Sequence, residues 1–132
     1  MSPSFIEGLM RASFALAGVV HLLPLAGLLG RSALERAYGV DLGKGHDLEI
    51  LMQHRALLFG ILAVACLCAV VRPHWREPVA GAAMVSMLGF VVIAASHPHG
   101  IAIARVMWVD VGVSVLLAIA LGLSRWQAEP SS

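Results

Sequence analysis

The chain has 132 residues, 59% hydrophobic and only 13% charged, with a mean hydropathy of +0.86 and a formal net charge of +1. A single domain of this length, residues 1–132, cannot hide so much apolar surface in its own core, so lipid must cover much of it. The near-neutral balance supplies no basic field and excludes nucleic acid as a partner.

Four apolar runs, at about residues 6–30, 48–71, 79–96 and 101–123, are each long enough to cross a hydrocarbon core of ~30 Å. All four are predicted as helices, because a strand in lipid satisfies its backbone only within a closed barrel, and the alternation a barrel needs is missing. The expected fold is all-α: an antiparallel four-transmembrane-helix bundle with a short interfacial helix after the first span. The first run is longer than the apolar stretch of a signal peptide, carries His21 and Pro24 inside it, and has no small-residue cleavage pattern, so it reads as a span.

Gly30 can close this span as a left-handed cap. The connection that follows, "RSALERAYGVDLGKGHD" (residues 31–47), offers Ser32 and Glu35 as an S-x-x-E capping box for a short helix through Tyr38. Asp47 is placed to cap the second span. Pro73 follows the end of that span, Pro78 suits the first turn of the third, and Pro98 in "SHPHG" marks the turn into the fourth. The terminal "QAEPSS" reads as a disordered tail.

An even number of spans puts both termini on one side. That side holds Arg11, Arg72, Arg76 and Arg125, and the other holds Arg31, Arg36 and Lys44, so the termini are predicted to be cytoplasmic in a multi-pass cell-membrane protein. Trp75 and Trp126 fit interfacial anchors.

The polar residues inside the spans are not evenly spread. At 1.5 Å per residue, Gln53 lies about 7 Å into the second span, and His21 and Asp110 lie about 13 Å from the outer ends of theirs. The inner half carries little besides Ser13, Ser86 and Ser114. Small residues mark the faces where membrane helices meet. On that basis Ser13, Ala17 and His21 form one stripe, and Glu49, Gln53, Ala56 and Gly60 a second, flanked by Met52, Arg55 and Phe59. The third is Asp110, Ser114, Ala118 and Gly122. Together they predict a polar chamber in the outer half, with His21, Glu49, Gln53, Arg55 and Asp110 as ligand-binding candidates. The shared depth also predicts a buried Arg55–Asp110 ion pair, because a lone charge in lipid is costly.

Each candidate has a plainer role to set beside this one. Arg55 and Asp110 can serve only to join helices, and Glu49 can be a solvated charge at a helix start. His21 can bond a carbonyl freed by Pro24, and Arg105 can extend to lipid headgroups. Cys66 and Cys68 are two apart on a helix and point to different faces, which excludes a disulfide between them. No metal site is predicted. His46, His97 and His99 are the nearest to a ligand set, and "HPHG" lacks a defined third ligand. Haem is disfavoured because His54 turns away from His21.

At "LMQHRALLFGILA" and the preceding "ALERAYGVDL" the chain resembles the small four-helix DoxX-like membrane proteins, over most of its length and layout. Some members are subunits associated with thiosulfate:quinone oxidation, so the resemblance implies the bundle fold and hints at a quinone-like ligand. It transfers no catalytic residue. The paired cysteines of the related vitamin K epoxide reductase-like bundles are missing here.

Three function classes stand at this point. One is a chamber that binds an amphipathic small molecule such as a quinone. The second is a structural or accessory membrane subunit, joined to another membrane protein or to a second copy. The third is an enzyme doing acid–base chemistry on a lipid-soluble substrate.

Overall fold

The computed structural model describes residues 2–128, and every regular element in them is a helix. Helix α1 spans Pro3–Leu22 and runs into a 3-10 segment, Leu23–Leu29. Helix α2 is Arg31–Tyr38, α3 is Asp47–Val71, α4 is Arg76–Ala95 after a short 3-10 turn at Pro73–Trp75, and α5 is Ile101–Ala128. Four segments are long and apolar enough to cross a membrane, with mean hydropathies of 1.9 to 2.2. Only 33% of the best window in the first, and 28% in each of the others, is buried inside the protein. Side chains such as Leu29, Val85 and Ile101 therefore need lipid around them. The chain is a small multi-pass membrane protein.

The change from α-helix to 3-10 geometry at Leu23 follows from Pro24. Proline has no N–H to give the Val20 carbonyl, so that carbonyl is taken one residue earlier, by Leu23, and the turn tightens. Gly30, at φ 110°, then turns the chain sharply into α2. It is neither a left-handed cap nor the end of one continuous helix, as the sequence suggested.

Helix α2 starts without the expected capping box. Its N-cap is Gly30, Ser32 lies inside the helix, and Glu35 instead accepts from the Leu42 N–H at 3.3 Å. Gly39, at φ 64°, closes it as a left-handed cap, its N–H donating to the Glu35 carbonyl at 2.8 Å. Helix α3 begins one residue early, so Asp47 is its first residue and His46 the cap. At the other end of the chain Gln127 and Ala128 belong to α5, and the rest of the expected tail lies outside the described residues.

Around the bundle, α1 packs against α3 and α5, and α4 packs against the same two helices. The core cluster is Met10, Phe14, Ala17, Cys66, Ala69, Ala80, Ala83, Met87, Val113, Leu117 and their neighbours. Alanines bring the backbones close, while Phe14, Met87 and Leu117 fill the centre. Gly18 marks a close approach of α1 to α3: a Cβ there would lie 2.9 Å from the Leu67 side chain and 3.3 Å from the Ala63 carbonyl oxygen.

The small-residue stripe expected on the last span is corrected. Its buried face is Asp110, Val113, Ser114, Leu117 and Ala120, while Ala118 and Gly122 are exposed and a Cβ on Gly122 would meet nothing within 4 Å. Steps of four residues overshoot a 3.6-residue turn by about 40° each, so the second step, to Ala118, has already left the interface. On α1 the same two steps keep Ser13, Ala17 and His21 all buried, because they start at the edge of the buried face and run across it, whereas Asp110 starts mid-face.

The end of the bundle opposite α2 is not apolar, contrary to expectation. Arg76 is buried there and holds Glu7 of α1 through two hydrogen bonds of 2.7 Å, while its Nε donates to the Ala69 carbonyl at 3.2 Å. Arg125 of α5 meets Glu77, the residue after Arg76, at 2.9 Å. Ser86, assigned to the inner half by its position, instead borders the polar cavity described next.

Candidate functional site

At the α2 end of the bundle, Val20, His21, Pro24, Tyr38, Arg55, Phe59, Ser86, Val106 and Asp110 enclose a cavity of about 50 Å³. Every helix contributes. Local sequence explains why these side chains converge. His21 lies on the buried stripe of α1 just before the Pro24 tightening, and its Nδ1 lies 2.8 Å from the Ala17 carbonyl oxygen. A carbonyl only accepts, so Nδ1 carries the proton and the neutral ring presents Nε2 as an acceptor. The bonded carbonyl is not the one released by Pro24, which Leu23 satisfies. Phe59 meets the imidazole edge-on, with ring centroids 5.7 Å apart, and fixes its other side.

Arg55 and Phe59 are one turn apart on α3. The Arg55 guanidinium carbon lies 5.1 Å from the centre of the Phe59 ring and 5.3 Å from that of Phe90 on α4. The cation is thus held by two aromatic faces. None of the ion pairs among the described residues includes Arg55 or Asp110, so the expected contact pair does not form. Both charges face one cavity without meeting. Asp110 is only 7% exposed, yet no described residue hydrogen-bonds to its carboxyl group. One turn along α5, the Ser114 hydroxyl is also buried without a partner among the described residues.

Tyr38 is the cavity residue that the sequence reading missed. It is the last residue of α2, placed inward because Leu34, one turn earlier and fully buried, seats the helix on the 3-10 segment at Gly27. The loop beyond is tied down by Arg31, which donates to the carbonyls of Gly43 and Gly45 and to Glu49 at 3.1 Å. Leu42 is buried too. Through Tyr38, α2 roofs the cavity.

Two of the five sequence candidates lie elsewhere. Glu49 is engaged by Arg31 and by His46 at 3.4 Å, in the loop rather than the cavity. Gln53 does not line the cavity either. It continues the Ala56–Gly60 face of α3, where Gly60 lets Leu25 approach so closely that a Cβ would lie 2.6 Å from it. The cavity is bordered instead by the flank, Arg55 and Phe59. His54 and Arg105 are exposed. His46, His97 and His99 join no group of three metal-ligating side chains among the described residues.

Two lateral grooves adjoin the cavity. One, of about 450 Å³, runs along Arg55, Phe59, Ser86, Gly89, Phe90 and Ile93. The other, of about 230 Å³, is lined by Val20, Leu23, Pro24, Arg105, Val106 and Val109. Arg55, Phe59 and Ser86 belong to both the cavity and the first groove.

Burial pushes the Tyr38 phenol above the usual tyrosine range, and the nearby positive charge of Arg55 offsets this only in part. Tyr38 is the single tyrosine of the chain, so tyrosinate absorbance reads it directly. Folded protein is expected to titrate at higher pH than unfolded protein. Because the folded state keeps the proton longer, this group's contribution to stability is complete below the unfolded pKa and is lost as pH rises through the folded one. A midpoint equal to that of the unfolded chain would show that Tyr38 is not buried against the cavity.

Comparison with protein-family models, curated proteins and solved structures finds no match for this chain.

Proposed function

We propose that the protein binds the polar end of an amphipathic, oxygen-bearing small molecule, a quinone being one example, which reaches the cavity sideways from the bilayer. The observation that carries this is Arg55. Its guanidinium lies between a lipid-side groove and a buried cavity, is held by Phe59 and Phe90, and has no hydrogen-bond partner among the described residues. Five N–H donors are thereby available to an incoming oxygen. The roof formed by α2 favours access from lipid over access from water.

In this reading the four spans run antiparallel, α2 lies at the outer interface, and both termini are cytoplasmic. His21 and Asp110 stand where they can exchange a proton with the bound group. The DoxX-like resemblance adds the quinone-like character of the ligand and stays a proposal alongside it.

The test is native mass spectrometry of protein released from its detergent micelle. A lipid-soluble adduct of defined mass is expected on the wild-type protein and lost from Arg55→Gln. An adduct held equally by both proteins, or bulk phospholipid alone, would overturn the proposal.

A further inference from the structure

We infer that the chamber selects a neutral hydroxyl group, and that its ligand is a phenolic amphiphile. This rests on the lateral-access reading above and specifies its ligand. The first argument is the donor and acceptor inventory. Arg55 can only donate. His21 Nε2 is an acceptor, because Nδ1 is committed to the Ala17 carbonyl. Asp110 is only 7% exposed, borders the cavity and has no hydrogen-bond partner among the described residues. A carbonyl or ether oxygen would satisfy Arg55 and leave the acceptors of His21 and Asp110 unpaired, so of the quinone class named above the hydroxyl-bearing reduced form fits and the oxidised form does not. A hydroxyl accepts from Arg55 and gives its one proton to Asp110 or His21, so it pairs the donor and one of the two acceptors.

Charge narrows the choice. A carboxylate ligand would bring a second anion beside Asp110, and an ammonium would face Arg55. In a site screened from water, each like-charge approach is costly. A neutral group that both donates and accepts avoids both.

Size narrows it further. A cavity of about 50 Å³ is well below the ~150 Å³ that accepts a benzene ring, yet ample for a group the size of water. The hydroxyl enters the cavity, and the body of the ligand stays in the adjoining groove of about 450 Å³. Phe59 and Phe90 flank that groove, so an aromatic ring attached to the hydroxyl finds aromatic neighbours there. An alkyl tail then extends into lipid past Gly89 and Ile93.

The test uses para-heptylphenol and para-heptylanisole, which share ring and tail and differ in the hydroxyl proton. Each is titrated calorimetrically into the detergent-solubilised protein, with empty micelles as blank. The phenol is expected to bind at least about tenfold more tightly, the consequence of leaving a buried acceptor unpaired in the anisole complex. In Asp110→Leu that ratio should fall at least about threefold, since the carboxyl is the stronger acceptor and only the neutral His21 Nε2 is left to take the proton. Equal binding of the two probes, weakened alike by Arg55→Gln, would overturn hydroxyl selection and leave the ligand-binding proposal standing. Saturable binding of neither probe above the micelle blank would overturn both.

Discussion

Replacing Asp110 by leucine is expected to raise the stability of the detergent-solubilised protein by about 1–3 kcal/mol, although the residue is buried and charged. The usual expectation, and the one its depth suggests from sequence, is a loss of about 3–5 kcal/mol when one member of a buried ion pair is removed. That figure applies when the other partner is left behind uncompensated. Here Arg55 is not in contact with Asp110 and rests instead on Phe59 and Phe90. Removing Asp110 therefore breaks no contact of Arg55, which keeps its two aromatic neighbours, and it relieves a desolvated carboxyl that has no hydrogen bond among the described residues. The neighbouring cavity of about 50 Å³ gives the larger side chain room.

Reversible unfolding in mixed detergent micelles would measure the change. Arg55→Met should have a small effect alone, and the double mutant should depart from additivity by about 0.5–1 kcal/mol, because the two charges share one cavity and act on each other across it without touching. A strong destabilisation by Asp110→Leu, restored by adding Arg55→Met, would show that the two form a contact pair after all. A stabilised variant that has also lost its phenol preference is the pattern of a residue kept for binding at the expense of stability.

The parts of this molecule that the sequence reveals are those where a single strong physical effect decides the outcome. Four spans and the inward turn of His21 follow from apolar length and a brief small-residue stripe, while the short helix expected from a Ser32–Glu35 capping box forms without that box. Errors enter where a local rule is extended too far. A four-residue step holds from Ser13 to His21 and fails by Ala118, because the drift of about 40° per step starts at the edge of the buried face on α1 and mid-face on α5. Gln53 and Arg55 are close in the chain, yet they lie on clearly different sides of α3, and a small-residue stripe points to the wrong one. That stripe does mark a close contact, but with Leu25 rather than with the cavity. Tyr38 reaches the cavity only because Leu34 docks α2 at Gly27, a tertiary event with no sequence period to announce it. By sequence Arg76 is a charge flanking the membrane, whereas the fold buries it. The available hint is Glu7, an acid near the start of an apolar span with no need to be there unless a cation meets it.

That pair carries the other large effect. The Arg76 side chain is 9% exposed and the Glu7 side chain 41%, so the two partners do not lose equally when separated. Glu7→Ala leaves a buried guanidinium facing only the Ala69 and Val70 carbonyls, and is expected to cost about 2–3 kcal/mol. Arg76→Met leaves a carboxylate that still reaches water and holds Arg11 at 2.8 Å, so its cost should be smaller, about 1–2 kcal/mol. Arg11→Ala removes only an exposed pair within one helix and should cost no more than about 0.5 kcal/mol. Combining Glu7→Ala with Arg76→Met should restore part of the loss, since no unpaired buried charge is left. The same unfolding assay reads all four variants. Because Glu7 is on α1 and Arg76 begins α4, two helices that otherwise meet mainly through α3 and α5, loss of the pair should also loosen the corner where they approach. Faster backbone amide exchange near Arg76 in Glu7→Ala would report that loosening. If Arg11→Ala proved as damaging as Glu7→Ala, the bond within α1, and not the one to α4, would be holding this end of the bundle together.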